Sequence, residues 1–159
     1  MFCKNKVTND DDRTIIYKKN DYYVCEENDL IILKPKLTKK TIIIDDIDKL
    51  NDFDLGNSKI LECYINDKRP TKNKYASIMT DIYKLIADGT TIIKNTLLNI
   101  KTIKLTENGF HYNSELGISI QNTDANISFK EISNQCLKHK FSLNIEIKLK
   151  NNETVIFKI

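Results

Sequence analysis

Glu146 and Lys148 have the acidic-x-lysine spacing of metal-dependent nucleases, in which carboxylates hold the metal and the lysine stabilises developing charge. Such a site needs a second acidic residue from upstream, and the sequence alone identifies none. Both residues also occupy polar positions of an alternating stretch, so a solvated strand face accounts for them fully. Nucleophilic catalysis has little to draw on. His111 and His139 are the two histidines, far apart in the chain, and give a serine or cysteine few candidate bases. Gly56, Gly89, Gly109 and Gly117 are isolated, so no glycine-rich phosphate loop exists. Cys3, Cys25, Cys63 and Cys136 include no close pair of the kind a zinc site shows; they read as reduced thiols, three of them in apolar patterns as small hydrophobes. The acidic run Asp45, Asp46, Asp48, Asp52, Asp54 suggests a cation loop at first sight. An EF-hand starting at Asp46 would need glycine at Asn51 and a carboxylate at Asn57, so the run reads as a solvated acidic loop. The expectation is no catalytic, metal or cofactor residues, and a protein that is not an enzyme.

Two basic clusters are the better candidates for a surface that binds. Lys34, Lys36, Lys39 and Lys40 surround Pro35, and Lys68, Arg69, Lys72 and Lys74 surround Pro70. Both fall at turns where cations reach phosphates, and the second precedes a helix whose N-terminus itself favours anions. Tyr17, Tyr22, Tyr23 and Tyr64 are aromatic residues on which bases stack. Against nucleic acid stand the scarcity of arginine, present at Arg13 and Arg69, and a net charge of only +3. Isoleucine, lysine and asparagine fill 66 of the 159 positions, and all three have AT-rich codons. Base composition therefore accounts for much of the lysine.

The elements that would position these residues are legible from patterning. From Phe141 the apolar side chains alternate through Leu143, Ile145, Ile147 and Leu149, and alternation resumes at Val155, Phe157 and Ile159. This is a closing hairpin with one dry face. Its loop has three or five residues around Asn151, Asn152 and Glu153, and the expected pairs are Leu149 with Val155, Ile147 with Phe157 and Ile145 with Ile159. Upstream, Tyr75, Ile78, Met79, Ile82, Leu85 and Ile86 recur in steps of three and four and predict a helix over 71–88, with Thr71 or Asn73 as its cap and Gly89 as its stop. A strand over 96–105 and one over 110–112 read as a hairpin pairing Leu105 with Phe110, with a further strand over 116–121. A second helix starts at Asp124 or Asn126, or at Ser128 with Glu131 as a capping box, and runs to about Lys140 with Phe129, Ile132, Cys136 and Leu137 inward.

Residues 71–159 thus read helix, hairpin, helix, hairpin. The economical architecture is an α+β domain in which this repeated helix–hairpin unit gives a four-stranded antiparallel sheet with two helices on one face. Residues 1–13 are expected to be a flexible lead-in, and 14–66 a β-rich region. That region holds a meander of strands at Thr14–Tyr17, Tyr22–Cys25 and Leu30–Leu33, then strands at 41–44 and 59–65 around a helical turn at 45–50. The polar stretch Asn66–Pro70 reads as the boundary. No apolar run approaches the roughly 18 to 20 residues of a membrane span. The N-terminal residues lack the apolar core of a signal peptide, which sets the expectation of an intracellular protein.

The stretches Asn95–Thr102, Leu116–Gln121, Asp124–Asn126 and Lys130–Ile132, all within 90–136, resemble uncharacterised proteins of AT-rich giant DNA viruses. The resemblance implies a viral origin and a place in the host cytoplasm, and brings no activity and no site residues with it. The functional expectation is a non-enzymatic intracellular viral binding module acting through protein–protein contacts. Its alternative is a nucleic-acid-binding protein using the lysine-rich turns, and its remote alternative a metal-dependent nuclease.

Overall fold

A computed structural model describes residues 3–4, 22–27, 30–35, 39–87, 93 and 96–159, and the chain forms two compact units that divide between Thr38 and Lys39. In the first, β1 (Cys3–Lys4) pairs antiparallel with β2 (Tyr22–Glu27), which pairs antiparallel with β3 (Leu30–Pro35). Pro35 closes β3, as a residue without an N–H must. The strand expected at Thr14–Tyr17 lies outside the described residues.

The second unit contains β4 (Lys40–Ile43), a 3-10 turn (Ile47–Asp52), β5 (Lys59–Ile65), α1 (Tyr75–Ala87), β6 (Ile100–Lys101), β7 (Phe110–Asn113), β8 (Ile118–Gln121), α2 (Ala125–His139), β9 (Leu143–Lys148) and β10 (Thr154–Lys158). Its principal sheet has the order β4-β10-β9-β5, antiparallel except that β4 runs parallel to β10. The expected antiparallel sheet of two C-terminal hairpins is therefore corrected. The closing hairpin takes both its neighbours from the segment expected to form a separate β-rich region. Asn66–Pro70 is accordingly an internal turn of this unit, not a boundary.

Alternation along β9 and β10 sorts the side chains as the sequence requires. Ile145, Ile147, Val155 and Phe157 are buried, Asn144 and Lys148 are exposed, and Leu149 is half-buried. The register differs from the expected one by two residues: Val155 faces Ile147 and Phe157 faces Ile145, while Leu143 exchanges backbone bonds with Ile159. The turn decides this. Leu149 N–H donates to the Glu153 carbonyl, Asn152 N–H donates to the Leu149 carbonyl, and Asn152 takes φ 68°, which draws the strands together earlier than a wider loop would.

The expected hairpin across 96–112 is also corrected. β6 pairs with β8, and β8 with β7, so β8 is the middle strand of a three-stranded sheet. Buried Ser119 on β8 explains the preference, because its hydroxyl donates to the Ile103 carbonyl and accepts from Leu105 N–H. That contact holds 103–105 beside β8 instead of β7. Gly109 does take a positive φ of 78°, in the turn that Phe110 N–H closes onto the Glu107 carbonyl.

One core serves the unit. The Phe129 ring of α2 meets the Phe157 ring of β10 edge-on at 5.1 Å between centroids, and Ile78, Ile82 and Tyr83 of α1 and Ile120 of β8 join the same cluster. Asp124 caps α2 by accepting from Ile127 N–H, and Lys140 ends it in the left-handed conformation. α1 has no Thr71 or Asn73 cap. Thr71 donates its N–H and hydroxyl to Asp81, and Asn73 donates to the Leu61 carbonyl.

Candidate functional site

Within the second unit the two basic clusters lie apart. Lys34 lies in β3, in the first unit, and Lys36 lies outside the described residues. Lys39 holds Glu146 at 2.8 Å, and Lys40 sits 5.7 Å from the centre of the Phe53 ring. Both stand at the start of β4, one edge of the principal sheet. Lys68 and Arg69 follow the end of β5, the other edge, and β4 and β5 run the same way. The two turns therefore occupy diagonally opposite corners of the sheet.

The second cluster is built into a firm scaffold. Asn66 and Asp67 both take positive φ (48° and 61°), and Ile65 and Lys68 exchange backbone bonds of 2.9 and 3.0 Å around them. This is a two-residue turn of the type that short polar side chains favour. It folds Arg69 back beside Tyr64. The guanidinium lies 5.4 Å from the centre of the ring, donates to the Tyr64 hydroxyl and pairs with Glu62 at 3.2 Å. Tyr64 and Glu62 together keep the Arg69 proton held above its ordinary range. Asn66 also exchanges bonds with Ser142, and Asp81 grips Thr71 at 2.7 and 2.9 Å, so the turn is tied to β9 and to α1.

Two hollows flank β5 along its outer edge. One, of about 610 Å³, lies between the start of β5 and the approach to α1, with Ile60, Leu61 and Tyr75 as its apolar walls and Lys59 and Lys74 at its rim. The other, of about 320 Å³, lies between the turn and the second half of α1. Ile65, Pro70 and Leu85 form its apolar wall, and Lys68, Arg69 and Lys84 its cations. Leu85, expected in the core stripe of α1, is 50% exposed here. It stands one helical turn beyond Asp81, on the flank of the helix that faces this hollow. Tyr83, absent from the expected stripe, is fully buried in its place.

The open face of the sheet carries the nuclease-like residues. Glu62 of β5 sits directly opposite Glu146 of β9, which supplies the second acidic residue that the sequence did not reveal. Like charges so placed repel. Here Arg69 neutralises one and Lys39 the other. Lys148 is exposed and faces Lys59. Among the described residues no three potential ligands come together as a metal site. The acidic loop has local uses: Asp46 caps the 3-10 turn, Asp45 pairs with Lys49, and Asp54 accepts from Gly56 N–H and Asn126. Cys63 and Cys136 are buried, and burial pushes both thiols up to about 12, so neither is nucleophilic near neutrality. No helix among the described residues is long and apolar enough to cross a membrane.

Glu131 escaped the sequence reading, which offered it as a capping-box residue. It is fully buried and accepts from the Tyr83 hydroxyl, the Gln135 side-chain amide and Leu97 N–H. Beside it the Gln135 carbonyl oxygen and the Ser133 hydroxyl have no partner among the described residues. The group ties both helices to the segment entering β6, a structural role. No family model, curated protein or solved structure matches the chain.

Proposed function

We propose that the protein is a non-enzymatic binding module that acts through protein–protein contacts, and that the outer flank of β5 is its contact surface. The observation that carries this reading is the pair of hollows beside an edge strand, walled mainly by apolar atoms and rimmed by cations. Apolar pockets with arginine and tyrosine at their margin have the make-up of protein-recognition surfaces, where buried anchors supply most of the binding energy. The turn that forms the second hollow is tied down on two sides, so little ordering cost attends binding. The viral origin and cytoplasmic setting implied by the resemblance belong to the same proposal.

The test is affinity capture from the source cells with the wild-type chain and with Leu85→Asn combined with Lys74→Glu. Both changes touch side chains outside the core, so the variant should melt with the wild type. A protein recovered by the wild type and lost with the variant supports the reading. Recovery of nothing above background overturns it. The alternative, nucleic-acid binding, rests on Lys68, Arg69, Lys72 and Lys74, the exposed cations that follow β5. Binding of that kind weakens steeply with salt, in proportion to the phosphates neutralised.

A further inference from the structure

Resting on that reading, we infer that the β5 flank takes an extended, acidic segment of a partner protein that carries two large apolar side chains about five residues apart. The spacing comes from the strand itself. The first hollow borders β5 at Lys59, Ile60 and Leu61 and the second at Ile65. Five residues of β-strand span about 16 Å, and a partner chain in the same extended form covers that distance with about five residues of its own.

The acidic character follows from the rims. Lys59 and Lys74 border one hollow, and Lys68, Arg69 and Lys84 the other, while the single carboxylate in either wall, Asp81, is already committed to Thr71. Arg69 and Lys84 are already paired with Glu62 and Glu115, so the cations that meet a partner's carboxylates are Lys59 and Lys74 at one hollow and Lys68 at the other. The apolar anchors follow from the walls. Leu85 and Pro70 on one side and Leu61 and Tyr75 on the other leave apolar surface that a phosphate backbone does not cover. Side chains rather than a new ladder carry the recognition, because β5's edge is partly closed. Asn73 occupies the Leu61 carbonyl and Lys68 bridges Ile65.

Panning a phage-displayed library of random peptides against the full chain tests this directly. Enriched peptides should carry acidic residues around two apolar anchors about five positions apart. By fluorescence anisotropy, Leu85→Asn and Lys68→Glu should each weaken an enriched peptide by about tenfold, the cost typical of one interface anchor. Their melting curves should match the wild type. No enrichment, enrichment without acidic residues, or equal affinity for Leu85→Asn overturns the inference. So does a labelled single-stranded oligonucleotide that binds in place of the peptides, weakened by Lys68→Glu but not by Leu85→Asn. If no peptide is enriched while a captured protein still depends on the flank, the partner chemistry is wrong and the binding module stands. If capture also fails, both fall.

Discussion

Removing the Tyr83 hydroxyl with Tyr83→Phe tests the least expected feature of the core. Three neutral donors converge on Glu131: Tyr83 at 2.7 Å and Gln135 at 2.9 Å on Oε1, and Leu97 N–H at 2.8 Å on Oε2. Both Tyr83 and Glu131 are fully buried, so water cannot replace a lost partner. Leaving a buried acceptor short of a donor costs roughly 1 to 3 kcal/mol, and that is the loss expected for Tyr83→Phe. For a chain of this size it corresponds to a fall in melting temperature of roughly 2 to 12 °C. Glu131→Ala strands all three donors at roughly 1 to 3 kcal/mol each, which approaches a typical total stability of about 5 to 15 kcal/mol, so that variant should fold poorly or not at all. Glu131→Gln keeps the volume but sets an N–H where one donor aims, and should lose roughly 1 to 3 kcal/mol. Urea unfolding followed by far-UV circular dichroism measures all three, and a Tyr83→Phe/Glu131→Gln cycle gives the coupling. Stability unchanged in Tyr83→Phe and Glu131→Gln would refute the argument that this buried group is held by its donors.

Three further outcomes follow from the fold. Ile147→Ala, emptying a fully buried site on β9, should cost roughly 2 to 5 kcal/mol, while Lys148→Ala on the open face should change stability by less than about 0.5 kcal/mol. Equal losses in urea would mean that both sheet faces are covered. Cys63 and Cys136 keep their protons to about 12 when folded but release them near the ordinary thiol value of 9.0 when unfolded. The unfolded chain therefore binds fewer protons between those limits, and stability falls as pH rises through that window by up to about 1.4 kcal/mol per pH unit for each thiol. The raised phenol of Tyr83 acts in the same direction at still higher pH. A urea midpoint that is the same at about pH 8 and about pH 10 contradicts this. Asp124→Ala removes the cap that meets Ile127 N–H and should cost about 1 kcal/mol in a thermal melt, with Asp124→Asn close to wild type.

The sequence disclosed what local periodicity controls. β5 falls on the residues expected, α2 begins at Asp124, one of the three starts that the pattern left open, and the dry and wet faces of β9 are as alternation requires. What escaped it lies in pairing over distance. A period of two fixes which face a residue joins but leaves a slip of two residues undetermined, and the closing hairpin slipped by that amount. The parallel pairing of β4 with β10 has no local signature at all. A tight turn and a domain boundary share polar composition, so Asn66–Pro70 reads as the second when it is the first. The candidate site was half legible for the same reason. The cluster Lys68, Arg69, Lys72, Lys74 was visible as charge, but the hollows beside it need Leu85 turned outward and Asp81 closing on Thr71, which only the folded chain brings about.

The central claim, that β5's flank is the contact surface, is tested most directly by amide shift mapping of the isotope-labelled chain with the captured partner or an enriched peptide. The expected perturbations concentrate at residues 59–61, 64–71 and 81–85, and leave Asn144, Glu146, Lys148 and Ile156 unmoved. Perturbations centred on those four open-face residues, or on Lys39 and Lys40 at the far corner, would contradict it.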